Sequence, residues 1–171
     1  MGEHKEGVVM EIISPRWSEV KAKANSLTSN FTTPIIPVFE IAESNGVNVV
    51  LTGFGEFTDK ISGFCDFGAA KLFVNEADHL NRQLFTIAHE FGHWVLHRAI
   101  FEADTDRYPV LPRFSEPNKE DVLEKEANFF AANLLVPERL LKPVKRSPVA
   151  ALASAFGVSI TMMEFRLKNV Q

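Results

Sequence analysis

The sequence has a single cysteine, Cys65, in 171 residues, which excludes an internal disulfide framework. No apolar run approaches the 18 or so residues that a membrane helix needs. The opening residues, Met1 to Gly7, are polar and lack the hydrophobic stretch of a secretory signal. A cationic surplus is missing too: 18 Lys and Arg stand against 22 Asp and Glu, a formal charge of −4, so there is no general attraction to a phosphate backbone. Tyrosine occurs once, as Tyr108, against 15 phenylalanines, so packing relies on rings without a polar tip. These absences point to a cytoplasmic protein that is neither a membrane component nor a general nucleic-acid binder.

What remains is an ordinary globular composition, 46% hydrophobic. A chain of about 150 residues buries roughly 68–70% of its unfolded surface, enough for one real core. The expectation is a single domain over residues 1–171: an N-terminal helical extension (1–32), a core (33–137) and a C-terminal helical pair (138–171).

The most informative stretch is His89-Glu90-Phe91-Gly92-His93. On an α-helix, residues four apart lie about 40° apart around the axis and roughly 6 Å along it, so both imidazoles reach one metal ion. Zinc takes neutral imidazole nitrogens and, in catalytic sites, keeps one position open for water. Glu90, beside the first ligand, can take that water's proton as it attacks a carbonyl, while the metal lowers the water's pKa and polarises the carbonyl oxygen. Leu84, Ile87, Ala88, Phe91 and Val95 form an apolar stripe at helical spacing, which predicts a helix that turns its histidines away from the core, toward a cleft.

A third ligand belongs downstream, and His₂Glu is one standard set. Residues Asp121 to Leu135 read as a second amphipathic helix with Leu123, Ala127, Phe130 and Leu134 as its stripe. Two carboxylates compete. Glu124 shares a face with Ala127, Asn128 and Ala131, whose small side chains allow close approach; Glu126 sits among Val122, Phe129 and Phe130, whose bulk would hold the helices apart. Asn128, one turn after Glu124, is placed to hydrogen-bond the free nitrogen of a ligand histidine. The ion expected is one Zn²⁺ per chain, with Mn²⁺ or Fe²⁺ also compatible with such a donor set.

Residues Arg82 to His97 resemble the active-site helix of the ImmA/IrrE metallo-endopeptidases almost throughout, and Glu124 to Pro137 is similar to the second signature of that family, in which the first glutamate completes the metal site. The resemblance covers roughly residues 33 to 168 by coarse pattern matching. It implies site-specific proteolysis of a regulatory protein, typically a helix-turn-helix repressor or an antitoxin, in the cytoplasm. Two departures stand out: Val136 where the family more often has methionine, and no long sensor region after the core.

Around these signatures the fold class expected is α+β, with a small antiparallel sheet packed against the active-site helix and the second ligand-bearing helix, and a helical C-terminal end. Helices are expected at Ser14 to Ser29 and Pro37 to Glu43, a strand at Val47 to Thr52, and a hairpin of Ile61 to Phe67 and Lys71 to Asn75. An exposed edge of that sheet would hold an extended substrate by strand addition. His97 to Lys119, broken by Pro109, Pro112 and Pro117, reads as a long connection and a candidate lid.

Several residues carry weaker expectations. Tyr108 reads as an ordinary loop residue, or as a candidate donor to the oxyanion, with Arg82, Arg107 and Arg113 as alternatives. His97 lies roughly 12 Å along the axis from His89, too far to share the ion, and reads as a structural histidine near the helix end. His79 and His4 have no partner pattern. Cys65 reads as a small core residue, or as a thiolate latch on the open metal position. The C-terminal helices, around Phe156-Gly157-Val158-Ser159, could pass for a helix-turn-helix; Arg139, Lys142, Lys145, Arg146, Arg166 and Lys168 face only Glu138 and Glu164, a local excess of four positive charges. Three functions follow: a zinc endopeptidase, a non-cleaving module that docks a repressor or toxin, and a DNA-binding regulator, against which the acidic total counts. Oligomeric state is not readable.

Overall fold

The structure is a computed structural model that describes residues 12–103, 113–114 and 121–170. Its frame is set by the hairpin of β2 (Ile61–Asp66) and β3 (Lys71–Asn75), paired antiparallel with Cys65 opposite Leu72 and Asp66 opposite Lys71. Asp66 Oδ1 accepts from Ala69 N at 2.9 Å, and Ala70 takes the left-handed conformation (φ 52°) that closes the turn. β1 (Asn48–Thr52) lies on the far side of β3 and runs parallel to it, Val49 opposite Leu72. A two-residue strand, β4 (Arg113–Phe114), pairs antiparallel with β2, giving the order β1-β3-β2-β4.

The mixed α+β class is therefore the one expected, while the pairing of β1 corrects the expectation of an all-antiparallel sheet. The short connection through the 3₁₀ turn Gly55–Phe57 reverses the chain between β1 and β2, but leaves a gap one strand wide. β3 fills that gap and so points the same way as β1. Alternation shows only which face a residue takes, not which strand is its neighbour.

The inner sheet face presents Val49, Cys65, Leu72 and Val74, all buried, to α3 (Leu80–Ala103), the longest helix. The closest approach is at Gly63, where an added Cβ would stand 2.4 Å from Phe73 O and 2.6 Å from Thr86 Cγ2. α4 (Val122–Leu135), capped by Asp121 accepting from Leu123 N at 2.7 Å, lies on the other side of α3. α3 is thus sandwiched: every residue from Thr86 to Trp94 is buried, which corrects the expectation that its histidines turn away from the core. It also runs to Ala103, two turns past His97, supported by an Arg98–Glu102 pair at 2.7 Å and by Arg98 lying 4.2 Å over the Trp94 ring. The first part of the expected irregular connection is helix; most of the rest lies outside the described residues.

α1 (Trp17–Thr28) packs along α4 with Val20, Ala24 and Thr28 buried, and α2 (Val38–Ser44) packs on α3, where Trp94 Nε1 donates to Asn45 O at 3.1 Å. After α4 come the short α5 (Glu138–Leu141), α6 (Val149–Phe156) and α7 (Ile160–Lys168), the last two separated by Gly157 at φ 68° and bent by 106°. Arg166 is buried, donating to Val136 O and Asn133 Oδ1, both at 3.0 Å, and Arg139 donates to Thr28 O and Phe31 O. Two of the six cations behind the DNA-binding reading thus hold the fold together and are not offered to a phosphate backbone. No single helix among the described residues is long and apolar enough to cross a membrane.

Candidate metal centre

Two helices bring three side chains to one point. His89 and His93, one turn apart on α3, place their Nε2 atoms 3.2 Å from each other. From α4, Glu124 sets Oε1 3.0 Å from His93 Nε2 and Oε2 3.2 Å from His89 Nε2. Ligands held at about 2.0–2.1 Å around a tetrahedral ion stand roughly 3.4 Å apart. The three donors already have nearly that spacing, and they are the group of described residues that could hold a metal ion.

Hydrogen bonding supports the fit. Asn128 Oδ1 lies 2.9 Å from His89 Nδ1; an amide oxygen only accepts, so Nδ1 carries the hydrogen and Nε2 presents a lone pair to Glu124. Glu124 Oε2 is buried and has no hydrogen-bond partner. A lone pair and an orphaned carboxylate oxygen facing each other at this range repel unless a cation lies among them. The imidazole side chains are 1% and 7% exposed and Glu124 is 25% exposed, so the centre opens to solvent past Glu124.

Gly92, inside the pentapeptide, lets the helices meet. A Cβ there would lie 3.0 Å from Phe130 Cδ1 and 3.4 Å from Ala127 Cα. Phe130 thus does face α3, in edge contact with Phe91, and the expectation that its bulk holds the helices apart fails because Gly92 makes room. Glu90 is 3% exposed on the side of α3 that faces β2, where Thr86, one turn earlier, meets Gly63. Cys65 is close by. Its thiol is pushed far up, first by burial and then by the Glu90 and Asp66 carboxylates, and it is 4% exposed in the core. A thiol held protonated is a poor latch for an ion, and the ligand group does not include it.

The other expected residues fall elsewhere. Arg82 gives both Nε and Nη2 to Ser62 Oγ, at 2.9 and 2.7 Å, and pairs with Asp78, so it ties the start of α3 to β2. With His79, Asn81, Phe85, Val158, Ser159 and Met162 it lines a cleft of about 520 Å³ that ends one turn before His89. Arg113 is placed in β4; Tyr108, Arg107 and His4 lie outside the described residues.

Sequence reasoning missed the environment of His97 and Glu126. His97 is fully buried well inside the helix, with its ring 5.1 Å from that of His93 and Nε2 2.8 Å from Glu126 Oε2. Burial drives its pKa down to about 4 despite the Glu126 hydrogen bond, so it is neutral and the helix dipole has no cation there to favour. Glu126, fully buried, is held to about 2: burial raises it, and bonds from His97 and Arg16 more than reverse that. One signal was present: a glutamate among Val122, Phe129 and Phe130 on an apolar helix face must be paired.

Comparisons with known proteins bear on the family and the fold. The IrrE N-terminal-like domain of the M78 peptidases matches residues 42–168. A solved structure described as a Mycobacterium tuberculosis transcriptional regulator is similar, with a TM-score of 0.61 at 19% identity over 85% of this chain, which bears on the fold alone. The match spans 45% of that regulator's length. No curated protein matches the chain in sequence. With the family's domain matched over most of its length and His89, His93 and Glu124 drawn together, the chain belongs to the ImmA/IrrE family of M78 peptidases.

Proposed function

We propose that the protein is a zinc-dependent endopeptidase that makes site-specific cuts in a regulatory protein, a helix-turn-helix repressor or an antitoxin. The observation that carries this reading is the convergence of His89, His93 and Glu124 at 3.0–3.2 Å with Glu90 next to the first ligand. His89, His93 and Glu124 would hold the ion and Asn128 would orient His89. When bound, the ion supplies Lewis acidity, lowering the pKa of a ligated water and polarising an amide carbonyl. Glu90, beside β2 and buried, accepts the proton of the attacking water and passes it to the departing amine. An extended substrate segment would add to the sheet edge beyond β2, which among the described residues pairs with β4 opposite Ile61 and Gly63.

The test is Glu90→Gln. It should bind one equivalent of zinc as the wild type does while cleavage of a co-expressed partner falls by about 10²–10⁴-fold, the usual contribution of a general base. Partner left intact by metal-loaded wild-type protein, yet co-purifying with it, would replace this reading with the docking module.

A further inference from the structure

Four side chains run in single file away from the metal centre. His93 Nδ1 is 2.9 Å from His97 Nδ1, and His97 Nε2 is 2.8 Å from Glu126 Oε2. Glu126 then receives Arg16 three times: from the backbone N–H at 2.6 Å, from Nε at 3.0 Å and from Nη2 at 2.8 Å. His97 and Glu126 are fully buried, and Arg16, immediately before α1, is 29% exposed at its side chain.

Donor and acceptor capacity orders the file. Arg16 only donates and Glu126 only accepts, so His97 Nε2 carries a hydrogen. With that hydrogen on Nε2, His97 Nδ1 can accept, and a His93 that presents Nε2 to an ion carries its own hydrogen on Nδ1, so the hydrogen between the two rings belongs to His93 Nδ1. His93 Nε2 is then a lone pair, aimed at Glu124 Oε1 and His89 Nε2. Arg16 fixes the far end: three donors leave the Glu126 carboxylate one orientation, the one that presents Oε2 to His97.

We infer that Arg16, acting through Glu126 and His97, is a positioning residue that sets the tautomer and ring orientation of His93. Arg16 lies outside the family-matched residues 42–168, so a segment beyond the shared domain completes the outer support of the metal site. His89 has its own orienting group in Asn128, and this file is the counterpart for His93. The inference rests on the metal-centre reading but not on peptide hydrolysis.

The experiment titrates zinc alone, by competition with a chromophoric chelator, into metal-free wild type, Arg16→Met and Arg16→Lys, and records long-range ¹H–¹⁵N imidazole spectra of the three metal-free proteins. Expected are His93 protonated on Nδ1 and His97 on Nε2 in the wild type, and mixed tautomers with zinc bound about 10–100-fold more weakly in Arg16→Met. Arg16→Lys should recover part of the loss, since an ammonium lacks the guanidinium fork. Zinc affinity within threefold of wild type in Arg16→Met, or His93 protonated on Nε2 in the wild type, overturns the inference. If Arg16→Met fails to fold, Arg16→Lys decides by the same two readouts. Wild type that binds no zinc would sink the metal-centre reading, with the spectra still reporting on the file.

Discussion

Gly63 sits where the sheet touches α3, and no side chain can replace its hydrogen without moving backbone: the Phe73 carbonyl is 2.4 Å from the Cβ position. Gly63→Ala should destabilise the protein by about 1–3 kcal/mol through overpacking, measured as a lower urea midpoint. Cys65 is the opposite case, a side chain whose chemistry is silenced by its surroundings. Native protein should resist iodoacetamide over hours and label fast in urea, and Cys65→Ala should leave zinc affinity within about twofold of wild type, since the thiol is outside the ligand group. Rapid native labelling, or a collapse in zinc binding, would restore the latch. The convergence of single residues was legible in sequence where spacing alone decides it, as for His89 and His93. They were not legible where a partner more than a hundred residues away decides, as for Arg16 and Glu126.

At the scale of elements, periodicity located α3 and α4 because a 3.6-residue repeat is written into the chain. It could not show that α3 is covered on both sides, since the polar residues opposite its apolar stripe are buried against α4 and one another. Nor could it give the length of α3, although Arg98 and Glu102 at four-residue spacing already favoured continuation. The contact between the two helices turns on Gly92, and Gly92→Ala would force Phe130 to give way. A loss of stability of about 1–3 kcal/mol is expected, with weakened zinc binding as α4 carries Glu124 outward. Arg166 joins α7 to the end of α4. Arg166→Leu should cost about 1–3 kcal/mol in chemical denaturation by stranding Val136 O and Asn133 Oδ1, without altering any retention on DNA.

For the whole molecule, the ion is expected to act as a structural bolt between α3 and α4 as well as a reagent. Stripping it with a chelator should lower the melting temperature. At free zinc a thousand times the dissociation constant the linkage amounts to about 4 kcal/mol. A chain of this size loses roughly 2–4 °C per kcal/mol, so a fall of roughly 8–16 °C in differential scanning calorimetry is the result to look for. An unchanged melting curve would mean the helices hold their spacing without the ion. The side-chain exposures at the centre have a kinetic consequence. With both imidazoles sealed in and Glu124 the most exposed of the three side chains, an ion held there would exchange past that carboxylate, as fast as it swings aside. The ion bound in protein taken from a cell would then record what was abundant when the chain folded, more than the order in which the donors prefer metals.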